Sequence, residues 1–138
     1  MKKIFSTIGK LLPLIRFRES SKYWEDRYRL GGESGEGSRG MNAEYKASVI
    51  NRFIAEHDVR SLIEFGCGDG VQLDMFNASA YIGVDVSRTV IQQCRTRFSN
   101  DASKRFILTN DYVGEGVDLS LSLDVIFHLV EDPVYNTY

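Results

Sequence analysis

Two carboxylates and three glycines occur within seven residues of this chain, in the run Glu64-Phe65-Gly66-Cys67-Gly68-Asp69-Gly70. Glycine at every second position lets the backbone turn tightly and leaves room for a ligand to lie against the main chain. A dinucleotide-binding turn spaces its glycines G-x-G-x-x-G and presents a helix N-terminus to an anionic pyrophosphate. Here the third glycine comes one residue early, and Glu64 and Asp69 bracket the turn. Acids so placed repel a pyrophosphate and attract an ammonium or a sulfonium. A third acid, Asp85, closes the short run Tyr81-Ile82-Gly83-Val84, nineteen residues after Gly66. An acid about 20 residues beyond such a turn is placed to accept hydrogen bonds from ribose hydroxyls. The residues therefore point to a nucleoside-bearing cation.

Positioning these groups requires parallel strands. Ser61 to Phe65 reads as a buried strand entering the turn, with a strand-helix-strand unit carrying the chain to Tyr81–Asp85. Upstream, Ser20 to Leu30 is expected to be a helix capped by Ser20 or Ser21 and stopped by Gly31-Gly32. A Gly, Ser and Glu stretch follows, either a linker or an ordered loop over the ligand. Asn42 is expected to cap a second helix whose stripe Tyr45, Val49, Ile50, Phe53 and Ile54 faces the sheet. Ser87 caps a third helix to Phe98, with Val90, Ile91, Cys94 and Phe98 inward. Arg105 to Thr109 and Val117 to Phe127 supply the third and fourth strands. Alternating strands and helices imply a parallel sheet, with ligands at the carboxyl ends of its strands.

With these motifs the chain resembles the class I S-adenosylmethionine-dependent methyltransferases: Glu64 to Gly70 matches their first motif and Asp85 the acid after their second strand. The likeness covers roughly residues 43 to 132. It is nearest to small bacterial members that begin with segments like Tyr23-Trp24-Glu25, Gly31-Gly32 and Ser34-Gly35-Glu36-Gly37-Ser38. The resemblance implies a three-layer Rossmann-like α/β fold, strand order 3-2-1-4 in the part present, and S-adenosylmethionine as cofactor. Glu64, Gly66, Cys67, Gly68, Gly70, Asp85 and Val86 would hold it, with Asp111 near the adenine. Methyl transfer is an in-line displacement, so holding the reactants in line is much of the work. His128 and Asp124, past the fourth strand, are the candidate bases if the acceptor is a hydroxyl. Tyr23, Trp24 and Tyr28 are placed to line the acceptor side, or to act as packing on an amphipathic helix. Arg27 and Arg39 are either acceptor-binding or surface charges, and His57 complements a helix C-terminus.

The chain is expected to comprise a basic amphipathic segment, 1–19, and a methyltransferase domain, 20–138. Lys2, Lys3, Lys10, Arg16 and Arg18, with apolar residues at helical spacing, would suit peripheral contact with an anionic membrane or packing on the domain. A net charge of −2 disfavours a nucleic-acid partner. Cys67 and Cys94 lack zinc-site or disulfide-framework spacing and read as buried thiols in a reducing cytoplasm, and no metal site is expected. Asp132-Pro133 is a helix start with five residues after it, so the domain is expected to be incomplete at its C-terminus and to self-associate through an exposed sheet edge. The leading expectation is methyl transfer to a small molecule such as a sugar or glycan precursor. The alternatives are an inactive cofactor-binding fragment or interaction module, and, third, an NAD-dependent oxidoreductase.

Overall fold

The computed structural model describes residues 19–136; the basic segment 1–18 lies outside them. Four parallel strands, β1 (Ser61–Phe65), β2 (Ala80–Asp85), β3 (Lys104–Leu108) and β4 (Leu119–Leu121), form one sheet in the order β3-β2-β1-β4. The helices are α1 (Ser20–Arg29), α2 (Gly40–Glu56), α3 (Arg88–Arg97) and the short α4 (Asp132–Tyr135). This is the parallel α/β sheet and strand order expected from the sequence. Strand order reverses between β2 and β4 on either side of β1, which puts a ligand crevice at the β1 tip.

One face of the sheet, with Leu62, Tyr81 and Phe106, packs against Ile50 and Ile54 of α2 and Ile91 and Cys94 of α3. The other buries Ile63, Ile82 and Val84 beneath Tyr112 and Val117. Ser87 caps α3, accepting from the Val90 N–H at 3.2 Å, as its residue type dictates.

Five local expectations are corrected. The crossover from β1 to β2 contains no long helix, only a 3-10 turn at Gln72–Met75. Asn51 of α2 clamps this crossover: its side-chain amide donates to the Met75 carbonyl at 2.7 Å and accepts from the Asn77 N–H at 2.9 Å. That clamp also sets the rotation of α2, which buries Ala43, Ala47, Ile50 and Ile54 while Tyr45, Val49 and Phe53 are exposed. Small alanines permit the closer approach. Third, α2 begins at Gly40 and not at an Asn42 cap, because extended Arg39 is fixed by Asp69. Likewise α1 begins after Glu19, with Ser20 committed to Glu131 through both its N–H and its hydroxyl. Finally, β4 is three residues long: it pairs Leu62, Ile63 and Glu64 with Leu119, Ser120 and Leu121, and Asp124 then turns the chain at φ +56°. Asp visits this left-handed conformation more readily than most residues, and Lys46 holds its carboxylate from α2.

Candidate cofactor cleft

A cleft of about 690 Å³ opens at the carboxyl ends of the strands. Its floor is the β1 turn. Gly66, Gly68 and Gly70 all have positive φ, at 76°, 57° and 71°, so the sequence spacing is a backbone requirement. A Cβ on Gly66 would collide with Val125, and one on Gly68 with Ser34. Gly70 differs: a Cβ there would meet Phe98, the residue that ends α3, at 2.9 Å. The third glycine thus serves helix packing, while the first two face loops that border the cleft.

Five amides of the turn are engaged internally. Gly66 and Cys67 N–H groups donate to the Val84 carbonyl at 2.7 and 3.1 Å. The Gly68 N–H donates to Asp85 at 3.0 Å, that of Asp69 to the Ser34 hydroxyl at 3.1 Å, and that of Val71 to Asp69 at 3.3 Å. An anion cradle needs free N–H groups converging on the ligand. This turn instead sets carboxylates beside the cleft, and its crossover has no helix long enough to add a dipole.

Glu64 is 5 % exposed, and its carboxylate accepts from the Tyr81 hydroxyl. Burial pushes its pKa up to about 7, against the opposing pull of that hydrogen bond and of Lys46. Asp85 is equally buried; its two oxygens accept from the Gly68 and Ser87 N–H groups, both at 3.0 Å, so it holds the β1 and β2 tips together. Burial raises its pKa as well, partly offset by those amides. Val86 lines the cleft beside it. Cys67 and Cys94 are buried thiols, and the Cys94 Sγ lies 3.2 Å from the Gly68 carbonyl. Among the described residues, no cluster could hold a metal ion and no helix is long and apolar enough to cross a membrane.

Asp69 plays a part different from its expected one. Burial favours its neutral form, but the Arg39 guanidinium and the Ser34 N–H outweigh this and hold its pKa low. Its charge is therefore neutralised, and it acts as the anchor of the Gly-Ser loop. Tyr28 adds a bond at 3.1 Å to the Ser34 hydroxyl, so this loop is ordered along the cleft, with Gly35, Gly37 and Ser38 in its wall.

The candidate bases lie on the opposite rim. Asp124 forms an ion pair with Lys46 of α2 and lies against Gly37, where a Cβ would collide with its carboxylate. His128 is exposed, edge-on to Trp24 with ring centroids 5.4 Å apart and beside Phe127 at 4.4 Å. Both line the cleft, as do Trp24 and Tyr28. At the β3 tip, Thr109 and Asn110 reach the cleft and Asp111 is not among its lining residues. The turn Thr109–Asp111 directs consecutive side chains differently, so Asn110 and not Asp111 lines the cleft.

Three groups escaped the sequence reading. Glu25 accepts from the Ser87 hydroxyl, the Thr89 N–H and the Thr89 hydroxyl, binding α1 to the start of α3; its place in Tyr23-Trp24-Glu25 was the available signal. Gln72 is 6 % exposed, lines the cleft, and its Nε2 has no partner; a lone polar residue between Val71 and Leu73 was the clue. Thr109 Oγ1 is likewise buried and unpartnered. Buried polar atoms of this kind ordinarily find partners. Together with the acids they fit a ligand bearing both a cation and hydrogen-bonding groups, as S-adenosylmethionine does.

No family model matches the chain. Over 89 residues, 60% of this chain, it is 30% identical to the mRNA cap guanine-N(7) methyltransferase of Candida glabrata and, over the same length, 32% identical to that of Eremothecium gossypii. The chain spans about one fifth of the length of these relatives, 21% and 20%. Among solved structures, magnesium protoporphyrin IX methyltransferase of Synechocystis with bound S-adenosylmethionine aligns with TM-score 0.58 at 17% identity, covering 83% of this chain and 66% of that one. Sheet order, turn and structural likeness agree: the chain carries a domain of the class I S-adenosylmethionine-dependent methyltransferase fold.

Proposed function

We propose that this chain binds S-adenosylmethionine in the cleft at the β1 and β2 tips and takes part in methyl transfer from it. The observation that carries the reading is a turn with five of its amides already engaged, set beside the buried acids Glu64 and Asp85. Such a site favours a sulfonium over a pyrophosphate, which sets the NAD reading aside. Gly66, Cys67 and Gly68 would line the bed of the cofactor and Gly70 would hold α3 behind it. Asp85 and Val86 would face the ribose, with Thr109 and Asn110 on the adenine side. When bound, the cofactor supplies an electrophilic methyl group.

For the acceptor, the cleft rim offers rings. Phe127 is 70 % exposed and lines the cleft beside His128 and Trp24. Flat faces of this kind stack best on a planar acceptor, and the relatives' named acceptors, cap guanine and magnesium protoporphyrin IX, are planar rings. Neither matches the sugar-type acceptor expected from the sequence, and the cap relatives weaken the argument from net charge against nucleic acid. His128, which lines the cleft, would accept a proton from the acceptor, and Asp124, held by Lys46, would keep the Gly37 loop in position. The test is incubation of the chain with methyl-labelled S-adenosylmethionine and a panel of nucleosides, capped RNA, porphyrins and sugars. Label on a planar acceptor, reduced in Phe127→Ala, supports the reading. Transfer to sugars alone would refute the acceptor class, and absence of cofactor binding would refute the whole.

A further inference from the structure

The cofactor reading leaves one end of the ligand unexplained. S-adenosylmethionine carries a single anionic group, its α-carboxylate, and a buried carboxylate must be met by donors. The two cations nearest the turn are committed, Arg39 to Asp69 and Lys46 to Asp124. The amides of Gly66, Cys67, Gly68, Asp69 and Val71 are committed too. Gln72, the first residue of the 3-10 turn after the glycines, lines the cleft and carries a buried side-chain NH₂ that has no partner.

Resting on the cofactor reading above, we infer that Gln72 is the residue that recognises the α-carboxylate of the cofactor. An amide suits this duty beside Glu64 and Asp85, because it donates without adding a charge that would oppose the sulfonium. It also accounts for a polar side chain kept at 6 % exposure between Val71 and Leu73.

The test compares S-adenosylhomocysteine with 5′-methylthioadenosine, which has the nucleoside and thioether but no amino-acid end. Isothermal titration is run on the full 138-residue chain and on Gln72→Ala and Gln72→Glu, with circular dichroism to verify folding. Loss of a hydrogen bond to a charged group is expected to weaken S-adenosylhomocysteine roughly 10- to 100-fold. Binding of 5′-methylthioadenosine should change less than about twofold. Gln72→Glu keeps the side-chain shape and places an acid against the carboxylate, so its loss should be the larger. Equal weakening of both ligands would make Gln72 a packing residue and overturn the assignment, as would unchanged binding of both. If the wild-type chain binds 5′-methylthioadenosine and not S-adenosylhomocysteine, the carboxylate pocket fails while the nucleoside site stands. If it binds neither, the cofactor reading fails with it.

Discussion

Glu64 gives the sharpest prediction, because its charge is worth opposite things to the empty fold and to a cationic ligand. Its carboxyl titrates near 7 in the fold against 4.5 in a solvated chain, burial being the main cause. The folded-state value is raised, so its contribution to stability is complete below about pH 4.5 and is lost as pH climbs through about 7. At about 1.4 kcal/mol per unit the loss is on the order of 3 kcal/mol. Glu64→Gln, which removes the titration, should match the wild type near pH 5 and exceed it in stability at pH 8. A sulfonium reverses the balance. At a separation of about 6 Å and an effective dielectric of about 20, an ionised Glu64 attracts a unit positive charge by about 3 kcal/mol, a factor of roughly 100 in affinity. The neutral thioether of S-adenosylhomocysteine gains none of this. The ratio of S-adenosylmethionine to S-adenosylhomocysteine affinity, measured by titration calorimetry, should therefore rise from pH 6 to pH 8 and then level. In Glu64→Gln it should be lower and flat. A ratio independent of pH and unchanged in the variant would refute the electrostatic reasoning.

Other residues make narrower claims. Asp85→Ala removes the acceptor for the Gly68 and Ser87 N–H groups; urea unfolding should show a loss of roughly 1–3 kcal/mol and calorimetry weaker nucleoside binding. Arg39→Ala leaves Asp69 without its cation, and limited proteolysis should then cut within residues 31–38 faster than in the wild type. Bound S-adenosylhomocysteine should slow that cleavage, since the same loop lines the cleft. Glu25→Ala should cost about 0.5–2 kcal/mol in chemical denaturation, as loss of a cap at the start of α3 does.

The sheet was legible because each strand is a short apolar run ended by a turn signal, and because Ser87 could cap α3 only from one place. Asp85 was legible from spacing, though its hold on the Gly68 amide was not. What escaped depended on contacts distant in sequence. The rotation of α2 is decided by Asn51 gripping Met75 and Asn77, which no helical period encodes. The length of β4 is decided by the Asp124 turn and its ion pair with Lys46, so alternation of leucines and serines overstated the strand. Asp69 reads in sequence as a partner for a cationic ligand, but Arg39, thirty residues earlier, takes its charge. Gln72 stands out only in three dimensions, where its side-chain amide is buried without a partner.

The central claim is that a methyl-donor cation, and not a dinucleotide, occupies the cleft between the β1 and β2 tips. Titration of the chain with S-adenosylmethionine, S-adenosylhomocysteine and NAD tests it in one calorimetric series. Saturable binding of the first two, weakened in Asp85→Ala and with no heat from NAD, is the result expected. Binding of NAD with neither of the others would contradict the account.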